Sequence, residues 1–371
     1  MMNHDRPLPF KSAAVLGAGL MGRLLALALA RAGCRVDLYE AGSSAAEGAA
    51  ARVAAAMLAP LAESAIAPPS VARMGHYSMT RWPQLIDSLG QDIFFQREGT
   101  LVVWHRQDEP EAMRLARVWS RTSETVPELP ALQKLDAEGI RALEPSLAGR
   151  FTRALYLPQE GQLGNPALFA AMLAQLQALP NVGLHWHSPR APGDFTPGAA
   201  GQPDRVIDCR GLGAQPQWHG VRGIRGEVVC VHAPEVTLSR PTRLVHPRYP
   251  LYIAPKPGKV FVVGATEIES EDLSPASVRS TLELLSALYT VHSGFAEARI
   301  LEIMVQCRPT LPDNLPAIRL PSPGVLQING LYRHGFLIAP AMLDAAMQWL
   351  RDGQWLLAER LGLAIENREN A

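Results

Sequence analysis

Gly17, Gly19 and Gly22 are spaced G-x-G-x-x-G, and Glu40 follows eighteen residues after the last of them. These residue types at this spacing suit the two ends of a dinucleotide. Gly17 permits a tight turn, Gly19 lets the backbone approach a pyrophosphate, and Gly22 lets a helix pack closely on a strand. A helix beginning at Leu20 and Met21 turns its free N–H groups and positive dipole end towards the phosphates. Glu40 can accept hydrogen bonds from an adenosine ribose.

The elements around these residues make the motif specific. Residues 13–16 read as an apolar strand, 20–32 as a helix apolar almost all round, and 35–39 as a second strand with Glu40 at its tip. Only Arg23 and Arg31 interrupt the helix, so it belongs in a core. A lone glycine triplet is weak evidence; one set between strand, helix, strand and acid is strong.

The whole chain bounds what else it can be. Its 371 residues suffice for two domains, and 35 basic residues balance 35 acidic ones. That balance points to neither nucleic acid nor an anionic membrane surface. Cys34, Cys209, Cys230 and Cys307 form no C-x-x-C pair. Their scatter argues against a zinc site and a disulfide framework, and fits a reducing compartment. Arg6 and Lys11 before an apolar stretch imitate a secretory signal, but cleavage there would destroy the glycine motif. Residues 1–11 therefore read as a loose leader, no run suits a membrane span, and a cytoplasmic protein is expected.

Further along, small side chains dominate 41–64, as suits a helix or loop against a bulky flat ligand; an ordinary alanine-rich helix is the alternative. Helical patterns occupy 71–89 and 109–120, with a strand at 100–104 between them. Residues 135–147 hold a helix that starts at Asp136 and stops at Glu144-Pro145. Residues 161–179 predict a helix with Asn165 as N-cap and Pro166 at the first helical position. His185 and His187 alternate on a strand over 182–187 without a third ligand, so they read as solvated rather than metal-binding. A Pro/Gly-rich loop spans 189–203, and 204–214 is a strand ending in a glycine turn. Strands are expected at 226–231, 251–254, 260–264 and 299–305, with a helix over 275–290. Arg308 stands at a strand end with Pro309 behind it. Residues 325–350 read as a strand, a turn holding Gly330 and Gly335, and a helix from about Pro340.

Several of these stretches resemble the D-amino-acid oxidase family of flavoproteins, particularly its glycine oxidases. The segment AAAMLAP before Glu63, the LDAEGIRALEPSL stretch and the Y-I-x-P-x-x-G-x-x-x-x-V-G-A-T order within 246–270 carry the resemblance, which covers 13–350. It implies FAD as the cofactor. Arg52 and Ala56 would lie near the flavin, with Met57 and Ala59 beside its reacting face. Arg52 stands where the family commonly has a small hydroxyl residue. Gly211, in the returning strand's turn, would approach the cofactor. The C-terminal turn with Gly335 and Phe336 would close over it, and the helix that follows would support negative charge on the reduced ring. Tyr252 falls where a tyrosine contacts substrate, Arg333 where the active site is lined, and Glu267 where some relatives carry methionine. In the family's sarcosine oxidases a cysteine at the position of Cys307 holds the flavin covalently; glycine oxidases generally bind it without a bond, and noncovalent FAD is expected here.

The expected fold is α/β, a Rossmann-type FAD-binding domain interleaved with an α+β substrate domain built on a mainly antiparallel sheet. The FAD domain takes 1–80, 146–220 and 306–371, and the substrate domain 81–145 and 221–305. The expected reaction is oxidative deamination of a small amino acid, glycine first, with oxygen giving hydrogen peroxide, in thiamine thiazole synthesis. Arg308 would anchor the carboxylate through its fork of N–H groups, with Tyr252 as partner and Arg333 as the alternative anchor. Amino acid and oxygen are the partners; nucleic acid and membrane are not, and homo-oligomerisation is left open. Sarcosine, another N-methyl amino acid or a small D-amino acid are alternative substrates. The first forty residues alone also permit a nicotinamide dehydrogenase, or a non-catalytic dinucleotide sensor in which Arg308, Tyr252 and Arg333 would have no purpose.

Overall fold

Apolar runs bounded by glycine and proline build two large sheets. A computed structural model describes residues 7–246 and 251–367. Residues 1–6 of the expected leader, 247–250 of the 246–270 run and 368–371 at the end of the FAD-domain range lie outside the described residues.

The first sheet has seven strands, in the order Ala364–Asn367, Ala317–Ser322, Val325–Asn329, Arg205–Asp208, Ser12–Leu16, Arg35–Tyr39 and Val182–His185. All pairings are parallel except that between Ala317–Ser322 and Val325–Asn329. The strand Ser12–Leu16 lies between Arg35–Tyr39 and Arg205–Asp208, which leave it on opposite sides of the sheet, so its carboxyl end is a switch point where a crevice opens. The helices Leu20–Arg31 and Gly335–Asp352 share the main hydrophobic core with this sheet.

The second sheet has eight strands, in the order Arg299–Thr310, Arg222–His232, Val260–Gly264, Leu251–Lys256, Thr242–Leu244, Thr100–Val103, Arg153–Leu157 and Gln133–Asp136. It is antiparallel apart from the Thr242–Leu244 and Thr100–Val103 pair, as expected of the substrate part. Arg153–Leu157 belongs to this sheet although it falls inside the 146–220 span. Among the described residues, no helix is long and apolar enough to cross a membrane.

Three local expectations need correction. Asn165 is the first residue of the helix Asn165–Ala178, not its N-cap; Gly164 holds that place. The Asn165 amide instead donates to the carbonyls of Ala51, Arg52 and Ala54 at 2.9–3.1 Å. Residues 161–163, expected as helix, form a short strand. The last helix begins at Gly335, and Pro340 lies inside it. Pro340 cannot donate to the carbonyl four residues earlier. That carbonyl, on Phe336, accepts from the Trp82 indole N–H at 2.8 Å instead, so the turn survives.

Candidate active site

A cavity of about 420 Å³ runs from the Gly17 turn, along the 48–57 segment, to Tyr252 and Arg308. At the first end, Gly17 has φ +89°, and a Cβ there would sit 2.8 Å from the Cys209 carbonyl oxygen. A Cβ on Gly22 would lie 1.8 Å from the Gly17 carbonyl oxygen. Only glycine fits at either place. No side chain caps the N-terminus of Leu20–Arg31. The Glu40 carboxylate accepts from the Ala18 and Gly42 N–H groups at 2.6 and 2.9 Å, which fixes it against the turn.

Arg23, which sequence reasoning treated only as a break in an apolar helix, is buried under this turn. It donates to the carbonyls of Ala18, Phe169 and Ser44 at 2.6–3.0 Å. Burial lowers its pKa to about 10, while nearby Glu40 opposes that shift. A charged guanidinium, bonded only to carbonyls one turn below the glycine loop, adds to the positive potential a pyrophosphate needs. The glycine cradle, the uncapped helix and this cation fit the dinucleotide part of FAD.

The 48–57 segment forms the cavity's long wall. It is no continuous helix: a single turn, Ala50–Val53, precedes Ala56, whose φ is +52°. Polar groups from outside hold it there. Besides Asn165, Lys256 donates to the Ala55 and Leu163 carbonyls at 2.7 and 2.9 Å. The side chains facing the cavity are alanine, valine and methionine, as a flat ring requires.

At the far end the antiparallel sheet presents Tyr252 and Arg308. Neighbouring glycines make room for both. A Cβ on Gly226 would lie 2.3 Å from the Arg308 guanidinium, and one on Gly264 would lie 2.9 Å from the Tyr252 hydroxyl. Arg308 donates both terminal nitrogens to the Thr266 carbonyl at 3.2 Å. Among the described residues no carboxylate forms an ion pair with it, and none hydrogen-bonds the Tyr252 hydroxyl. Burial lowers the Arg308 pKa and raises that of Tyr252, each opposed by the other's charge.

Arg333 is placed differently. Its Nε lies 2.9 Å from Glu63 Oε2, a charge contact off the line of a hydrogen bond, and its Nη1 donates to Glu267 at 2.9 Å. Glu63 also accepts from Arg243 at 2.6 Å. Burial would raise the Glu63 pKa, but Arg333 and Arg243 outweigh it and hold it well below the usual range. Glu63, Arg243 and Tyr332 were not picked out as site residues. Arg243 stands in no motif, and its contact with Glu63 crosses 180 residues of chain.

Of the expected cofactor residues, Gly17, Gly19, Leu20, Met21, Glu40, Ala56, Met57, Gly211, Gly335 and Phe336 all line the cavity, as do Arg308, Tyr252 and Arg333. Gly22, expected among the cofactor residues, does not line the cavity; it packs against the Gly17 carbonyl. Arg52 does not line the cavity: it is exposed and donates to the Ala45 carbonyl at 2.9 Å. Ala59 is buried outside the lining. Arg308 lies within the strand Arg299–Thr310, which runs five residues beyond its expected end at 305. Cys307, on the opposite strand face, is buried with Sγ 3.6 Å from the Ser270 carbonyl. His185 lies 2.8 Å from Asp37 and stacks on Tyr39.

Residues 12–347 match the family described as FAD dependent oxidoreductase, DAO. The chain belongs to this family. It is an enzyme whose dinucleotide is FAD, which displaces the nicotinamide alternative. Among its relatives is the Rhizobium etli protein named thiamine biosynthesis oxidoreductase ThiO, 42% identical over 333 residues, covering 88% of this chain and 93% of the relative. The Pseudomonas aeruginosa glycine oxidase is 29% identical over 356 residues, covering 88% and 91%. The solved glycine oxidase of Bacillus cereus superposes with TM-score 0.78 at 23% identity, covering 94% of this chain and 97% of that one. The iminodiacetate oxidase of Chelativorans also gives 0.78, at 22% identity and 95% and 99% coverage. These two structures bear on the fold alone.

Proposed function

We propose that the chain oxidises a small amino acid, glycine first, to its imine. The observation that carries this reading is Arg308, a partly buried guanidinium facing the cavity with no carboxylate among the described residues paired to it. A substrate carboxylate supplies the missing charge, and the Arg308 N–H groups not taken by the Thr266 carbonyl can donate to its oxygens. Tyr252, its hydroxyl free beside Arg308, adds a third bond. For a substrate without a side chain, this grip sets most of its orientation.

FAD, held by the Gly17 turn and the 48–57 wall, would supply a hydride acceptor, with oxygen as the final oxidant and hydrogen peroxide as its product. The protein contributes position and charge. The amine loses its proton to solvent, so no side chain need act as base. The name of the Rhizobium etli relative supports a role in thiamine biosynthesis, where the product would supply thiazole synthesis. Four free thiols support a reducing, cytoplasmic setting. Cys307, buried on the strand face away from the cavity, supports noncovalent FAD. The two sheets support the two-part division proposed from the sequence, with Arg153–Leu157 crossing into the substrate part.

Mixing the purified yellow protein with glycine without oxygen tests the reading. Bleaching of the visible flavin band is expected. Bleaching by sarcosine or a small D-amino acid but not by glycine would move the substrate to those alternatives. No bleaching by any amine would overturn amino acid oxidation.

A further inference from the structure

Glu267, Tyr332 and Arg333 line the flavin cavity and also a second cavity of about 330 Å³, whose other walls include Ile66, Pro68 and Asn314. These three residues therefore form the partition between the two spaces. Ile66 is 53% exposed, so the second cavity reaches the surface, and the Glu267 side chain is 39% exposed on the same side. A substrate that outgrows the inner cavity meets this partition.

The charges at this end balance in a particular way. Three guanidinium groups, Arg243, Arg308 and Arg333, line the cavity beside two carboxylates, Glu63 and Glu267. Glu63 contacts Arg243 and Arg333 at 2.6 and 2.9 Å, and Glu267 contacts Arg333 at 2.9 Å. One positive charge is left over, and it belongs to Arg308. A substrate with one carboxylate completes the balance. A second carboxylate would find the other two guanidinium groups already committed, and would lie near Glu267, whose like charge repels it.

We propose that Glu267 is a specificity-determining residue that restricts the site to substrates with a single carboxylate, by neutralising Arg333 and closing the partition with it. This rests on the reading that an amino acid carboxylate sits on Arg308. Glu63 shares the neutralising role but is buried between two arginines, whereas Glu267 is half-exposed and can be replaced with less disturbance.

The test uses the flavin-loaded full chain and two unreactive probes, acetate and malonate, titrated by calorimetry into the parent, Glu267→Gln and Glu267→Met. Either variant should bind malonate about tenfold tighter or more than the parent does, the effect of one added charge-assisted pair, with acetate changed by less than about threefold. The ratio of kcat/KM for iminodiacetate to that for glycine should rise by a similar factor. Glu267→Asp should follow the parent. Unchanged malonate affinity in folded, yellow Glu267→Gln and Glu267→Met, or a parent that binds malonate as tightly as acetate, would overturn the proposal. Acetate affinity unaffected by Arg308→Ala would instead sink the underlying reading of Arg308.

Discussion

Glu63 Oε2 lies 2.9 Å from Arg333 Nε, and both side chains are nearly closed to solvent. This pair favours Arg308 over Arg333 as the proposed anchor. Arg333 is held by protein carboxylates, while among the described residues Arg308, in the same cavity, bonds to the Thr266 carbonyl and to no carboxylate. Removing the carboxylate from a buried pair leaves a charge without a partner, which typically costs about 3–5 kcal/mol. Glu63→Gln keeps the volume and one acceptor oxygen, so a stability loss of about 2–4 kcal/mol is expected in urea unfolding. A loss below about 0.5 kcal/mol, the scale of exposed pairs, would mean the site is wetter than its burial indicates.

Glu160 gives a pH dependence of stability. Its carboxyl is 1% exposed, accepts from the Ala62 N–H at 2.7 Å, and is pushed by burial up to about 7. The folded chain therefore holds this proton up to a higher pH than the unfolded chain does. Between about pH 4.5 and 7 the folded state binds more protons, so this group's contribution to stability falls as pH rises through that window. Glu160→Gln removes the titration. Its melting temperature relative to the parent should rise between pH 5 and pH 8, by the equivalent of at most about 3 kcal/mol. A difference that stays constant with pH would contradict the assignment.

Much of the cofactor end was legible because it is local. Gly17, Gly19, Gly22 and Glu40 act through one turn and its neighbours, and their spacing carries their roles. The strand pair over 251–264 was equally plain, with Lys256 and Lys259 bounding its turn. The charge balance at the substrate end was not legible. Glu63 meets Arg243 and Arg333 across 180 and 270 residues, and spacing along one chain cannot announce such a contact. Asn165 looked like a cap because its type and the following proline suit one. Tertiary demand from the 51–54 carbonyls took its amide instead. Arg52 was placed near the flavin by resemblance, but its side chain turns outward to Ala45.

Cys307 provides a simple chemical check. Its thiol is buried, and burial raises its pKa, with Arg225 opposing. A thiol must be deprotonated and exposed to react. Acid precipitation should therefore leave the colour in the supernatant. A yellow pellet that survives washing would mean that Cys307, or another residue, bonds the flavin.

Tyr252→Phe removes one hydroxyl from beside Arg308 and leaves the ring packed. Losing one hydrogen bond to a carboxylate should cost about 1–2 kcal/mol, roughly five- to thirtyfold in kcat/KM for glycine. Flavin content should be unchanged. An unaltered kcat/KM would mean the hydroxyl does not touch the substrate.

Arg308 is proposed to hold the carboxylate of an amino acid for oxidation by the flavin. The most direct measurement is kcat/KM for glycine in Arg308→Ala at full flavin occupancy. Removing one partner of a buried charge pair costs about 2–5 kcal/mol, so a fall of roughly 30- to several-thousand-fold is expected. Arg308→Lys should recover only part of it, because a point charge lacks the fork. An Arg308→Ala protein that oxidises glycine as fast as its parent would contradict the account.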